Sequence, residues 1–193
     1  MELMDAIHTR RAYRSLDPVD INEEIIRSLG EAAILAATCF NSQPARYVFV
    51  TDPAVLEEMQ GAMTKSNAWT RQASMIIAAF SHLDYDCKPK GREYYLFGTG
   101  MQTAQLILRA TDLGLVAHPI AGYDEDKVKT ILGIPEDMRV ITLVIVGKKS
   151  DTISPLLDEG QIEREKKRPE RLPQNKFIAM NHFNQDLIKE PRK

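Results

Sequence analysis

The sequence contains few cysteines and no long apolar segment. Its two cysteines, Cys39 and Cys87, form no CxxC motif, which argues against a disulfide framework or a structural zinc site and is compatible with a reducing compartment. No apolar run approaches the roughly 18 residues that a membrane-spanning helix needs. The first residues include Glu2 and Asp5, which are acids where a secretory signal peptide would carry bases. We therefore expect a cytoplasmic protein that does not enter a membrane.

Several classes of binding and catalytic site also lack their usual signatures. The net charge of −2 predicts no general attraction to nucleic acid or to anionic membranes. None of the four histidines has a partner at metal-ligand spacing, so we expect no metal site. No GxGxxG motif follows a strand, and no Ser/His/Asp arrangement is visible. The remaining composition, 44% hydrophobic and 27% charged over 193 residues, is typical of a single globular domain.

Apolar periodicity and capping signals predict alternating helices and strands. We expect helices over 2–9, from a capping box at Asp20 to residue 36, from Asp52 and Pro53 onward, and over 94–113 and 125–132; we expect strands over 46–51, 75–80, 115–118 and 140–146. These strands are too few for a doubly wound domain. We therefore expect an α+β sandwich, in which a small mixed sheet is flanked by helices on both faces.

The last part of the chain differs in composition from the rest. Residues 163–171 form an almost continuous charged run, which alone predicts a solvated arm. The segment Phe177-Ile178-Ala179-Met180 then restores an apolar patch, for which a free polar tail has little use. We interpret residues 1–193 as one domain whose C-terminal arm, residues 150–193, packs on another surface such as a partner subunit.

Three stretches carry groups that suit a phosphate-bearing ligand. Residues 10–14 are Arg-Arg-Ala-Tyr-Arg, and guanidinium groups are planar, permanently charged donors for phosphate oxygens; a solvated basic turn is the alternative. Residues 38–44, Thr-Cys-Phe-Asn-Ser-Gln-Pro, place amides in a turn before a strand, and residues 168–175 are Arg-Pro-Glu-Arg-Leu-Pro-Gln-Asn. In this order and spacing the stretches resemble the nitroreductase family of FMN-dependent oxidoreductases. The resemblance covers residues 2–181, and its most specific piece is Asn41-Ser42-Gln43-Pro44.

The resemblance implies a fold, a cofactor and an assembly. It implies a nitroreductase-like α+β sandwich, built as an obligate homodimer that binds FMN at its interface and exchanges its C-terminal arms. It also implies that NADH or NADPH reduces FMN, and that a small acceptor such as a nitroaromatic compound or a quinone takes the electrons in a ping-pong cycle. Because the flavin carries the hydride chemistry, no side chain is expected to act as a catalytic acid or base.

By the same resemblance, arginines near both chain ends hold the phosphate and ribityl chain of FMN. The expected contacts are Arg10, Arg11, Ala12 and Arg14 near the N-terminus and Arg171 near the C-terminus. The family often has another base at the position of Pro169, and we expect Arg168 or Lys167 to replace it, with solvated charge as the alternative. Arg164 lies outside the matching motif, so we expect it to be ordinary surface charge.

Other contacts implied by the resemblance lie along the flavin ring. They are the turn residues Ala37, Thr38, Asn41 and Gln43, contributed by the partner subunit; Asn67 at the ring edge; and the turn Ile120-Ala121-Gly122, where a backbone N–H faces flavin N5 and glycine permits close approach. The alternatives are a turn capped by its own amides, an exposed loop asparagine, and a loop that serves as the N-cap of the next helix.

Three other functions stay open at this point. Residues common in the family are replaced at Ala12, Ala45 and Ala121, which is compatible with a non-catalytic flavin or nucleotide sensor. The same fold also serves dehydrogenation and dehalogenation, so the fold does not determine the reaction. A general anion-binding α+β protein without flavin would account for the arginines alone.

Overall fold

The computed structural model describes residues 1–188 and contains helices on both faces of an antiparallel sheet. The helices are α1 (Leu3–Thr9), α2 (Glu23–Ile34), α3 (Pro53–Gln60), α4 (Tyr94–Asp112), α5 (Glu125–Leu132) and α6 (Glu159–Lys166), and the strands are β1 (Leu16–Asp17), β2 (Arg46–Val50), β3 (Met75–Ser81), β4 (Val116–Ile120) and β5 (Arg139–Lys149). The predicted α+β class is confirmed. No helix in the described part of the chain is long and apolar enough to span a membrane.

The sheet is antiparallel at every described strand pair. Strand β3 lies between β2 and β5, and β5 also pairs with β4 and, near its own C-terminal end, with the short strand β1. The expectation of a mixed sheet is therefore wrong for the described residues. A mixed sheet contains at least one pair of neighbouring strands that run parallel, whereas each described neighbouring pair here runs in opposite directions.

Strand β3 separates two apolar clusters, one on each face of the sheet. Ile76 and Ala78 pack with Trp69 on one face, while Met75 and Ile77 face the cluster built from α2 and α4. All four strand residues are fully buried, as the alternation of side chains across a doubly covered strand requires. The prediction that residues 75–80 form a central strand covered on both faces is confirmed.

Most helix ends follow local capping rules. Asp52 accepts hydrogen bonds from the backbone of α3, Asp124 does the same for α5, and Gly133 ends α5 in the left-handed conformation. The predicted capping box at Asp20 is wrong, because α2 begins at Glu23 and its N-cap is Asn22, whose side chain accepts from the Ile25 amide. Asn and Asp are about equally good N-cap residues, so residue type alone did not indicate which of the two positions begins the helix.

The expected solvated arm contains an unpredicted helix. Helix α6 begins with a capping box in which Asp158 and Gln161 bond each other's backbone. Beyond it, the chain continues in short turns at Gln174–Lys176 and Gln185–Leu187. Here the apolar patch is open to solvent, with Phe177 at 74% and Met180 at 80% exposure. This part of the arm therefore contributes nothing to the core of its own chain.

The two cysteines form a disulfide. Cys39, in the turn formed by residues 38–43 (the amide turn), is bonded to Cys87, in the loop that precedes α4. The expectation that these cysteines form no disulfide is wrong. The two residues lie 48 positions apart, and only the packing of the amide turn against α4 brings them together, which spacing in the sequence does not indicate.

Candidate functional site

The structure brings arginines from the two chain ends together around one cavity of about 210 Å³. We call it the arginine cavity; its lining residues are Arg10, Arg11, Ala12, Arg14, Arg164, Arg168, Pro169 and Arg171. Every residue expected near the phosphate is present except Lys167. The cavity also includes Arg164, which the sequence analysis treated as ordinary surface charge. Arg164 lies outside the matching motif, and its place at the cavity depends on α6, which the sequence did not predict.

Two of these arginines hold the walls of the cavity together. The Arg11 guanidinium donates to the carbonyls of Arg164 (2.8 Å) and Glu165 (3.0 Å) at the C-terminal end of α6. The Arg168 guanidinium donates to the carbonyls of His8 (2.5 Å) and Arg10 (2.7 Å) at the end of α1. Both helix ends carry carbonyls without intrahelical partners and favour a cation there. Arg11 and Arg168 therefore act mainly as structural ties between the two chain ends.

A buried carboxylate fixes the backbone beside the cavity. Glu165 is 7% exposed, and its two oxygens accept from the backbone amides of Arg14 (2.8 Å) and Ser15 (3.2 Å). Hydrogen bonds of amides to a charged acceptor are among the stronger ones in proteins. This contact joins α6 to the start of β1 and sets the direction of the Arg14 side chain.

Four guanidinium groups at the cavity have no hydrogen-bond or ion-pair partner within the described part of the chain. Among the described residues, the side chains of Arg10, Arg14, Arg164 and Arg171 form no hydrogen bond or ion pair with another side chain or with the backbone. Burial lowers the pKa of Arg10, with further lowering by Arg168 and Arg171. Burial likewise lowers the pKa of Arg14, to which Arg164 adds, while Glu165 and Asp158 oppose it. Guanidinium groups nevertheless remain charged, so this cluster fits an anion such as a phosphate.

A buried histidine, His118, is hydrogen-bonded to the backbone of the arginine segment, residues 10–14. His118, on β4, is 6% exposed and stacks on the Trp69 ring at 4.8 Å between centroids. Its Nδ1 donates to the Tyr13 carbonyl at 3.0 Å. The Arg14 guanidinium lies over the Trp69 ring, 5.9 Å from the ring centre. Burial lowers the pKa of His118 to about 4, and Arg14 and Arg10 act in the same direction, although the bond to Tyr13 opposes them.

We expect His118 to make folding stability depend on pH between 6.5 and 4. Its pKa is about 4 in the folded chain, against 6.5 for an ordinary histidine, so only the unfolded state binds a proton in this window. The stabilisation by neutral His118 is complete above pH 6.5 and is lost as the pH falls, by up to about 3 kcal/mol. Chemical denaturation of the wild type and His118→Gln at a series of pH values measures this loss.

His8→Gln is the matched control, because His8 lies exposed on α1. Carboxylates also titrate near pH 4, but they contribute equally to all three proteins and cancel in the comparison. The His118→Gln variant should lose less stability over this window than the wild type and His8→Gln. Equal losses in all three proteins would show that His118 is not held neutral by its surroundings.

The Gly122 turn and Asn67 lie in direct contact. The Asn67 Nδ2 and the Thr64 Oγ1 both donate to the Gly122 carbonyl, at 2.9 and 3.1 Å. A Cβ at position 122 would lie 2.6 Å from the Asn67 Nδ2, so a larger residue here would have to displace the Asn67 side chain. The backbone N–H groups of Ala121 and Gly122 donate no hydrogen bond within the described residues. Ile120 is buried at the end of β4, and Ala121 is exposed.

The amide turn at residues 38–43 is held by its own side chains. The Thr38 Oγ1 accepts from the Gln43 amide (3.1 Å), and the Gln43 side chain donates to the Asn41 Oδ1 (3.0 Å). Ala37, Asn41 and the neighbouring Phe40 are exposed. None of these residues lines the arginine cavity of the same chain. Their contribution to a flavin site from the partner subunit stays a prediction.

Known proteins resemble the chain over nearly its full length. A sequence model described as "Nitroreductase family" matches residues 7–68 and 62–148. The protein DrgA of Synechocystis sp. is 27% identical, covering 93% of this chain and 96% of the relative. A Xanthomonas oryzae pv. oryzae protein, provisionally named NADH dehydrogenase/NAD(P)H nitroreductase, is 32% identical over 62% of this chain and 71% of its own length.

The fold is also similar to that of solved nitroreductase structures. A protein of Exiguobacterium sibiricum, solved in complex with FMN, superposes with a TM-score of 0.78 at 21% identity, covering 94% of this chain and 98% of that one. The family match extends from α1 through most of β5, so it includes both the N-terminal arginines and the Gly122 turn. The chain therefore belongs to the nitroreductase family, a family of oxidoreductase enzymes.

Proposed function

We propose that the protein is an FMN-dependent oxidoreductase that uses NADH or NADPH to reduce nitroaromatic compounds, quinones or similar small acceptors. The observation that carries this proposal is the set of guanidinium groups around the arginine cavity that have no hydrogen-bond partner among the described residues, in a chain of this family. The FMN complex of the Exiguobacterium protein and the name of the Xanthomonas relative support the choice of cofactor and electron donor.

The phosphate would be held by Arg10, Arg14, Arg164 and Arg171. Their side chains have no other partner among the described residues, and at least Arg10 and Arg14 are partly removed from water, where charge-assisted bonds gain strength. The family base replaced by Pro169 would thus be supplied by Arg164, because the Arg168 guanidinium is already bonded to two backbone carbonyls. Arg11 and Arg168 would keep the cavity closed around the phosphate.

When bound, FMN would supply the redox chemistry, accepting a hydride from the nicotinamide and passing electrons to the acceptor in a ping-pong cycle. The chain's own residues would orient it. The unpaired N–H groups of Ala121 and Gly122 fit an acceptor at the ring edge, and Asn67 holds that turn in place. No acid or base side chain is required in this arrangement.

We further propose a homodimer in which each arm packs on the partner. The arm exposes Phe177, Ile178 and Met180, which the described part of its own chain leaves largely in solvent. The body exposes a complementary apolar set on α1 and the first half of α4: Leu3, Met4, Ile7, Leu96, Phe97 and Met101. Burying both sets against each other would remove apolar surface that a monomer leaves in water.

The proposal is tested by the visible spectrum of the purified protein. We expect a yellow protein with about one FMN per chain, because the arginine cavity fits one terminal phosphate. Apo-protein should take up FMN in preference to FAD, whose two phosphates are joined to each other by an anhydride bond and leave no terminal phosphate. Anaerobic NADH or NADPH should bleach the flavin absorbance, and a nitroaromatic compound or a quinone should restore it.

The outcomes separate the other functions. A flavin that neither donor bleaches would favour a non-catalytic sensor. Bleaching without reoxidation by nitroaromatic compounds or quinones would favour another reaction of this fold, such as a dehydrogenation or dehalogenation. A colourless protein that cannot be reconstituted with flavin would contradict the proposal and leave an anion-binding protein.

A further inference from the structure

The Cys39–Cys87 disulfide lies against the amide turn. Cys39 immediately precedes the exposed part of the turn, and Cys87 belongs to the loop before α4. Both cysteines are only half-buried, and their neighbours Phe40 and Lys88 are exposed, so small thiol reagents can approach the bond. No described contact of the arginine cavity involves either cysteine.

One oxygen of a carboxylate beside the disulfide has no hydrogen-bond donor among the described residues. The Asp86 Oδ1 accepts from the Ser42 hydroxyl (2.6 Å) and the Cys87 amide (2.8 Å). Its Oδ2 is buried and has no hydrogen-bond partner in the described chain. One carboxylate oxygen of Asp86 lies within 4.8 Å of both sulfur atoms. A disulfide has no proton to donate, whereas each thiol formed on reduction is a donor, so reduction places two new donors beside the Asp86 carboxylate.

The turn itself has an unfavourable backbone conformation. Phe40, Asn41 and Gln43 have φ angles of 48°, 59° and 48°, in the left-handed region that residues with side chains seldom adopt. Such conformations persist where surrounding contacts hold them. Here those contacts are the disulfide at Cys39, the Ser42–Asp86 bond and the bond between Thr38 and Gln43. Reduction removes the covalent contact among them.

We propose that Cys39–Cys87 is a reversible thiol–disulfide site that controls the amide turn. In the oxidised form, the bond holds the turn so that Asn41 and Gln43 keep their positions. In the reduced form, the turn loosens and FMN binding weakens. The effect on FMN rests on the proposed function, in which this turn contacts the flavin of the partner subunit; the effect on the turn does not.

The reductant is a dithiol, for which dithiothreitol is the laboratory probe. One of its thiolates attacks a cysteine sulfur, the S–S bond breaks, and a mixed disulfide forms while the other cysteine leaves as a thiolate. The second thiol of the reagent then displaces the first cysteine. The reagent ends as a cyclic disulfide, and its two protons end on Cys39 and Cys87, so two electrons pass from the reagent to the protein.

The site is tested by comparing air-oxidised and dithiothreitol-reduced full-length protein, with a chelator present because two thiols and Asp86 could hold a metal ion. Thiol titration should count no free thiol before reduction and two after it. Hydrogen–deuterium exchange of peptides covering residues 38–44 should become roughly ten- to a hundred-fold faster on reduction, as expected when a disulfide tether is lost. The FMN dissociation constant should rise by about tenfold.

The double variant Cys39→Ser/Cys87→Ser is the matched control. It should resemble the reduced wild type before treatment and should not respond to dithiothreitol. If the wild type shows two free thiols under air, or if exchange in residues 38–44 is equal in both redox forms, the proposed site is overturned. If the turn responds but neither form binds FMN, the thiol–disulfide site stands and the proposed cofactor is wrong. Equal FMN affinity in both forms would overturn the coupling to the cofactor.

Discussion

Truncation after Leu172 is expected to give monomeric or insoluble protein that retains no flavin. The shortened chain loses Phe177, Ile178 and Met180, whose exposure of 52–80% in the isolated chain marks them as the arm's contribution to the proposed dimer. The partner's apolar face on α1 and α4 would then be left in water, which favours dissociation or aggregation. Size-exclusion chromatography with light scattering gives the mass, and the absorbance spectrum of the same peak gives the flavin content.

A chain ending at Ile188 is the matched control, because it keeps the whole apolar patch. It should remain dimeric and yellow. The arginine cavity is built from residues up to Arg171, so truncation after Leu172 leaves all of its arginines in place. Loss of flavin would therefore report the loss of the partner subunit rather than of the phosphate contacts. A truncated chain that stays dimeric and fully yellow would contradict the exchanged arm.

Replacement of Arg171 is expected to weaken FMN binding without changing the assembly. Arg171→Ala removes a guanidinium with no protein partner among the described residues, so the loss falls on the ligand. Losing one charge-assisted bond of this kind costs about 1.5–3 kcal/mol, which corresponds to a roughly ten- to hundred-fold loss of affinity. Arg171→Lys should recover part of it, because an ammonium group cannot reproduce the planar fork.

Arg71→Ala is the appropriate control for Arg171. Arg71 is exposed and pairs on the surface with Glu57, and it does not line the arginine cavity. Arg164, by contrast, lines the cavity and is unsuitable as a control. Titration of apo-protein with FMN at fixed salt, followed by the quenching of flavin fluorescence, gives both affinities. Equal affinities for the Arg171→Ala and Arg71→Ala proteins would show that Arg171 is surface charge alone.

Local signals predicted the helices and the central strand well. The caps at Asp52 and Asp124, the stop at Gly133 and the apolar run of β3 depend on neighbouring residues, and the structure confirms each of them. Helix α6 was missed because its surface is mostly charged, although its Asp158–Gln161 capping box was present in the sequence. The antiparallel sheet depends on contacts between distant segments, which local patterns do not contain.

The candidate site was predictable by type of residue and less so by role. Positive charge at both chain ends indicated a shared anion site, and the structure brings these arginines together. Which of them keep their donors available for a ligand depends on the carbonyls at the C-terminal ends of α1 and α6, which accept hydrogen bonds from Arg168 and Arg11. The disulfide, the neutral His118 and the contact between Asn67 and Gly122 likewise arise from packing between segments far apart in the chain.

The carboxylate of Glu165 also constrains the order of events during synthesis. It bonds the amides of Arg14 and Ser15 across a separation of about 150 residues, so the first arginines of the chain are made long before their supporting helix. Until α6 has left the ribosome, Arg10 and Arg14 lack the wall that completes their cavity. Contacts of such long range also form late in folding, because their loops are costly to close. The nascent protein should therefore become able to capture an anionic ligand only after α6 has been synthesised.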